Sequence, residues 1–76
     1  MFQVLLFAHL REQVGSEKLA IREKQLTVKE FKELMENQYK LPTQGVMIAI
    51  NEKYATETDI IAEGDTVALI PPVSGG

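Results

Sequence analysis

Thr27-Val28-Lys29-Glu30-Phe31-Lys32-Glu33-Leu34-Met35-Glu36-Asn37-Gln38-Tyr39-Lys40 carries the two signals that decide the fold. Thr27 followed three residues later by Glu30 is a capping box, in which the threonine oxygen and the glutamate carboxylate satisfy amide groups that a helix start leaves free. A helix is therefore expected from Val28. Along it Val28, Phe31, Leu34, Met35 and Tyr39 recur on one stripe, and Lys29, Lys32, Glu33, Glu36 and Lys40 take the opposite side. Lys29 with Glu33, Lys32 with Glu36 and Glu36 with Lys40 stand four apart and can pair, each pair worth a few tenths of a kcal/mol. Pro42 is expected to end the helix. An amphipathic helix with a single apolar stripe needs a sheet to lie on.

Working outward, the flanks supply that sheet. Upstream, Phe2 to Ala8 is apolar and strand-length; with Gln3 facing water, Phe2, Val4 and Leu6 face the core, and Leu5 and Phe7 lie on the other face. His9 to Val14 makes a short helix ended by Gly15, and Lys18 to Arg22 reads as a second strand. Downstream, Val46 to Ile50 is a β-branched strand, Asn51-Glu52-Lys53 reverses into a short strand at Tyr54, and the turn Glu63-Gly64-Asp65 launches a last strand, Thr66 to Ile70. The expected order is β, β, α, β, short β, β: an α+β domain with a sheet of four to five strands and one main helix on one face.

One helix covers one face of such a sheet, so the second face stays open or meets a partner. Alternation puts Leu5, Phe7, Ala68 and Ile70 on that open face, with Tyr54 nearby. With the first and last strands as neighbours, these residues form a contiguous apolar patch of the kind that marks a binding surface. The plainer reading is that loops partly cover them.

Composition narrows the chemistry. The chain has 76 residues, no cysteine and one histidine, which excludes a disulfide framework, a cysteine nucleophile and thiolate or His-cluster metal sites. No metal site is expected. A chain this short has no room for a deep enclosed active site. Residues 1–40 hold seven Lys/Arg and six Glu, for +1, while residues 41–76 hold Lys53 against Glu52, Glu57, Asp59, Glu63 and Asp65, for −4. Without clustered cations to displace phosphate counterions, nucleic-acid binding is not expected. The start, Met1 to Glu12, lacks the basic region and cleavage site of a secretory signal, and its apolar run stops at His9 and Arg11; a cytoplasmic protein with no membrane partner is expected.

The ending Pro71-Pro72-Val73-Ser74-Gly75-Gly76 is the most informative segment. Two prolines set φ near −65° and cannot donate to a ladder, so a domain of residues 1–70 is expected to end in a projecting arm, residues 71–76. Gly75 and Gly76 have no side chains, which leaves the Gly76 carboxylate as the group at the tip, able to enter a channel too narrow for a Cβ. Taken alone, the dipeptide suits a frayed terminus; the stiff arm before it favours presentation to another protein. A carboxylate is a poor electrophile because oxide would have to leave, so chemistry at Gly76 requires activation, for example by transfer to AMP. The sequence has no phosphate loop for ATP, which makes the chain a substrate and carrier for a separate enzyme.

Val4-Leu5-Leu6-Phe7-Ala8-His9-Leu10-Arg11-Glu12 with Gly15, Ile50-Asn51 before Glu63-Gly64-Asp65, and Ile70-Pro71-Pro72-Val73-Ser74-Gly75-Gly76 together resemble the β-grasp, ubiquitin-like sulfur carriers, in particular the small subunits of molybdopterin synthase. The resemblance implies a β-grasp fold and a carrier that is not an enzyme on its own. It implies that a ubiquitin-activating-like adenylyltransferase, using ATP and magnesium, adenylates the Gly76 carboxylate, and that a sulfur donor protein converts it to a thiocarboxylate. The tail, Pro71, Pro72, Val73, Ser74 and Gly75, then enters the large synthase subunit, where sulfur passes to cyclic pyranopterin monophosphate in molybdenum cofactor biosynthesis. By the same resemblance Phe7, Tyr54 and Ile70 dock on the partner, and the assembly is a heterotetramer. Position 9, often basic or amide-bearing in such sequences, is His9, read here as an exposed helix-start residue.

Three other readings fit parts of the pattern. A thiamine-pathway sulfur carrier also ends in Gly-Gly but is not expected to carry the Pro-Pro-Val-Ser arm. A ubiquitin-like modifier would join Gly76 to a target lysine, and a non-covalent binding module would use the open face alone.

Overall fold

The computed structural model describes residues 1–72. Its elements are β1 (Phe2–Leu6), α1 (Ala8–Val14), β2 (Lys18–Ile21), β3 (Gln25–Thr27), α2 (Val28–Tyr39), β4 (Met47–Ile50), β5 (Lys53–Tyr54), β6 (Ile60–Ala62) and β7 (Thr66–Ile70). Five strands form one mixed sheet in the order β2-β1-β7-β4-β5. β1 and β7 run parallel, with Val4 opposite Val67 and Leu6 opposite Leu69, and the other pairs are antiparallel. The alternation expected of β1 holds: Phe2, Val4 and Leu6 are buried and Gln3 is exposed.

α2 begins where its capping box places it. Thr27 Oγ1 accepts from the Glu30 amide at 3.1 Å, and Glu30 Oε1 accepts from the Thr27 amide at 2.9 Å. Val28, Phe31 and Met35 are buried against the sheet, Leu34 and Tyr39 are half-buried, and the Phe31 ring meets Phe2 edge-on at 5.8 Å between centroids. Leu10 from α1 and Ile21, Leu41, Val46, Ile48, Ile61, Val67 and Leu69 complete the core. The helix stops earlier than Pro42 requires. Lys40 adopts the left-handed conformation at φ 56°, and the Leu41 amide donates to the Met35 carbonyl at 3.2 Å, so backbone hydrogen bonding at Lys40 closes the end.

The four-apart pairs expected on the exposed side of α2 do not form among the described residues. Lys32 Nζ instead reaches Glu57 Oε1 at 3.8 Å, and Glu36 accepts from the Thr43 hydroxyl. A helical ion pair worth a few tenths of a kcal/mol is easily outcompeted by a loop partner. The first strand also ends sooner than its apolar run: Phe7 is already the residue before α1, and Ala8 turns the chain at φ 52°. Gly15 closes α1 as expected, at φ 85°, its amide donating to Arg11 O at 2.8 Å.

A second, two-stranded sheet was not expected from the sequence. β3 and β6 pair antiparallel, Leu26 opposite Ile61 and Thr27 opposite Ile60. Beside it, the Val28 amide donates to Asp59 O at 2.9 Å and the Lys29 amide to Glu57 O at 3.2 Å, so this region satisfies amides that the start of α2 leaves free. Among the described residues, no helix is long and apolar enough to cross a membrane.

Candidate functional site

The open face follows from strand register. Lys18 on β2 lies opposite Leu5, Leu5 opposite Ala68, Ala68 opposite Ala49, and Ala49 opposite Tyr54, a single row crossing all five strands. Toward the tail, Ile70 lies opposite Met47, and Phe7 continues the outward-facing positions of β1. In the other direction Thr66 pairs with Gln3 on β1. Leu5, Phe7, Ala49, Tyr54, Ala68 and Ile70, with Asn51, Glu52 and Thr66 at the rim, line a shallow depression of about 770 Å³.

The row explains the shape. Two alanines occupy its middle positions, so the floor is low between the larger side chains of Leu5 and Phe7 on one side and Tyr54 on the other. Phe7 is 46% exposed and Tyr54 70%, high for aromatic side chains, and Ile70 is half-buried. The expected face residues Leu5, Phe7, Ala68, Ile70 and Tyr54 are thus brought together. Tyr54 reaches this face through a tight reversal in which Asn51 and Glu52 both have positive φ, 50° and 72°, as a two-residue hairpin turn requires.

Sequence reasoning missed Ala49 and Met47. Alternation within Val46 to Ile50 was enough to place them opposite Ile48 and Ile50, but two-sided apolar strands hide their open-face members. Among the described residues, Glu52 is the one charged residue that lines the depression. His9 is exposed on α1 and does not line it. Among the described residues no group of three or more His, Cys, Asp or Glu is placed to hold a metal ion. The face offers apolar contact and shape, with the Glu52 carboxylate at its rim and Lys18 at the far end of its row, a set suited to docking.

β7 leads from this face to the tail. Pro71 is half-buried and Pro72 exposed just beyond Ile70, outside any strand. An ideal Cβ placed on Gly45 would lie 3.6 Å from Pro72 Cγ, so the second proline runs beside the loop before β4. Val73, Ser74, Gly75 and Gly76, expected to enter a partner and to carry the reactive carboxylate, lie outside the described residues.

The family model described as ThiS family matches residues 4–76. The chain is 37% identical to a molybdopterin synthase sulfur carrier subunit of Arabidopsis thaliana, covering 97% of this chain and 81% of that one. It is 34% identical to a protein of the same name from Anopheles gambiae, covering 97% and 90%. Its fold is similar to the crystal structure of SAMP1 from Haloferax volcanii, with a TM-score of 0.78 and 25% identity over 99% of this chain and 98% of that one.

Proposed function

The chain belongs to the ThiS family, and we propose that it is the sulfur carrier subunit of a molybdopterin synthase, with Gly76 as the group that carries the sulfur. The observation that supports this reading most is its likeness, over nearly the whole chain, to relatives named for that role. The open face adds a physical reason. An apolar depression continuous with the strand that leads into Pro71 and Pro72 lets one docking event both hold the domain and aim the tail.

In this reading an adenylyltransferase partner, with ATP and magnesium, joins the Gly76 carboxylate to AMP and releases pyrophosphate. A persulfide sulfur from a donor protein attacks the acyl carbon and AMP departs with the carboxylate oxygen. A thiol then reduces the resulting acyl disulfide, leaving a thiocarboxylate. Charge shared between sulfur and oxygen favours the ionised, nucleophilic form. The large synthase subunit receives the tail and supplies the catalytic pocket in which sulfur passes to cyclic pyranopterin monophosphate. Phe7, Tyr54 and Ile70 make the docking contacts, two carriers serve a dimer of large subunits, and the whole cycle runs in the cytoplasm. This chain contributes positioning and the terminal group, and ATP is bound by its partner.

Intact mass spectrometry tests the carrier step. The chain is incubated with ATP, magnesium, an activating enzyme proven on another carrier, and a sulfur source, beside a Gly76-deleted control. Replacement of one oxygen by sulfur in the full chain alone is the expected result, and an unchanged mass overturns it. Conjugates to other proteins on a denaturing gel would instead favour the modifier reading, and rescue of a thiamine-deficient mutant without rescue of a molybdenum-cofactor mutant would favour the thiamine pathway.

A further inference from the structure

β2 is an edge of the five-stranded sheet, and the hydrogen-bond pattern fixes which of its backbone groups face outward. The Leu6 amide donates to Glu17 O at 2.9 Å, so in this antiparallel ladder the pairs Val4 with Leu19 and Phe2 with Ile21 also exchange bonds. The intervening residues Lys18 and Ala20 turn their N–H and C=O groups away from β1. Gln3, opposite Ala20, agrees with this, since its amide points the other way, to Asp65 O at 3.1 Å.

The two outward positions are treated differently. Ser16 Oγ donates to Lys18 O at 2.8 Å and accepts from the Lys18 amide at 3.3 Å, which closes that position locally. Among the described residues no comparable side chain covers Ala20, which is exposed. Beside it lies a groove of about 320 Å³ between this edge and the last turns of α2, lined by Ile21, Arg22, Glu23, Leu34, Gln38 and Tyr39, with the Arg22 guanidinium and the Glu23 carboxylate as its two charged groups. An open backbone edge next to a groove with half-buried Leu34 and Tyr39 fits a strand whose alternate side chains drop into the groove.

We propose that the outer edge of β2 docks an extended segment of a partner protein that pairs with the Ala20 backbone and carries acidic residues opposite Lys18 and Arg22. Charge decides between such a partner and a second copy of this chain. Antiparallel self-pairing centred on Ala20 would set Lys18 against Arg22 at both ends, and shifting it by one pair of residues toward Arg22 would set Lys18 against Lys24, while the opposite shift needs the Lys18 backbone groups that Ser16 already occupies. Both registers place cation on cation. An incoming strand with carboxylates at those positions converts the same two contacts to attraction, while its intervening apolar residues face Ile21, Leu34 and Tyr39. Lys18 shares a row with Leu5 of the open face, but the groove shares no lining residue with the Ala49–Ala68 depression, so the strand-docking site does not depend on the sulfur-carrier reading.

The test is a heteronuclear NMR titration of the full chain with the blocked peptide Asp-Val-Ala-Leu-Asp and, separately, Lys-Val-Ala-Leu-Lys. The expected result is a shift of the Ala20 amide, slowed exchange of that amide with solvent, changes at Leu34 and Tyr39, and affinity at least about tenfold weaker for the lysine peptide. Ala20→Pro removes an outward amide without removing a bond to β1 and should abolish the response; if that variant does not fold, the Ala20 exchange rate and the charge-swapped peptide still decide. Three results overturn the proposal: no response at Ala20, a response confined to Leu5, Ala68 and Tyr54, or a concentration-dependent Ala20 shift without peptide, which would mean self-association.

Discussion

Asn51 and Asp65, fourteen residues apart, lock two turns together through a side-chain hydrogen bond of 3.0 Å from Asn51 Nδ2 to Asp65 Oδ1. Asn51 Oδ1 also accepts from the Thr66 amide at 3.0 Å, and Asp65 Oδ2 accepts from the Ala62 amide at 2.8 Å. One asparagine thereby joins the β4–β5 reversal to the start of β7, the strand that leads into the tail, and does so from a left-handed φ of 50° that asparagine tolerates better than most residues. The Ile50-Asn51 and Glu63-Gly64-Asp65 segments of the sequence are thus halves of one structural device.

Replacing Asn51 should separate its two contributions. Asn51→Gly keeps the left-handed backbone accessible and loses only the side-chain bonds, about 1–2 kcal/mol for partly exposed bonds of this kind. Asn51→Ala adds the steric cost of that conformation, a further ~1 kcal/mol. Urea denaturation of both variants checks the order; an alanine variant as stable as the glycine one would mean that the reversal relaxes to another turn.

The capping box gives a second stability prediction. Thr27→Ala should cost about 1 kcal/mol, lowering the melting temperature by roughly 4–8 °C for a domain of this size. Glu30→Gln keeps an amide oxygen able to accept from the Thr27 N–H and should lose less than Glu30→Ala. Thermal melts followed by circular dichroism would distinguish the three, and equal losses from Gln and Ala would assign the effect of Glu30 to its charge.

Gly64 isolates backbone strain. Its φ is 88°, and a Cβ built there meets nothing within 4 Å, so Gly64→Ala should cost about 1–2 kcal/mol purely through conformation. Gly64→Asn should recover part of that loss. A loss well above this range in a chemical melt would show that the turn, whose amide donates to Met1 O at 2.8 Å, cannot yield without disturbing the first strand.

What the sequence disclosed depended on whether the signal was local. The capping box at Thr27 and Glu30, the helical stripe from Val28 to Tyr39, the alternation of Phe2, Val4 and Leu6, and the left-handed Gly15 are each written within a few neighbouring residues, and the structure has all of them. β3 and β6 were not legible because three residues are too few to show alternation; their pairing is non-local, fixed by Ile61 entering the core. The end of α2 was misplaced because a left-handed lysine carries no compositional mark, whereas Pro42 does. Within the candidate site, the large side chains Phe7, Tyr54 and Ile70 announced themselves, but alanine-sized floor positions did not: Ala49 matters for what it lacks, and only register reveals that it faces Ala68.

Phe2 and Phe7 provide the sharpest test of the two faces of the sheet. Phe2 is 1% exposed, and its ring packs on Phe31; Phe2→Ala should destabilise by about 3–5 kcal/mol. Phe7 is 46% exposed and occupies the residue before α1 with no side-chain capping bond, a position where aspartate is favourable. Phe7→Asp should therefore change stability by no more than about 0.5 kcal/mol. The same substitution puts a carboxylate into the apolar depression between Leu5 and Ile70, and a docking partner that buries this face would have to desolvate it. Calorimetric titration with a large synthase subunit should then show affinity at least about tenfold weaker, as for loss of an aromatic anchor. A Phe7→Asp chain that melts normally and binds with unchanged affinity would remove the open face from the docking surface and leave the tail as the contact to examine.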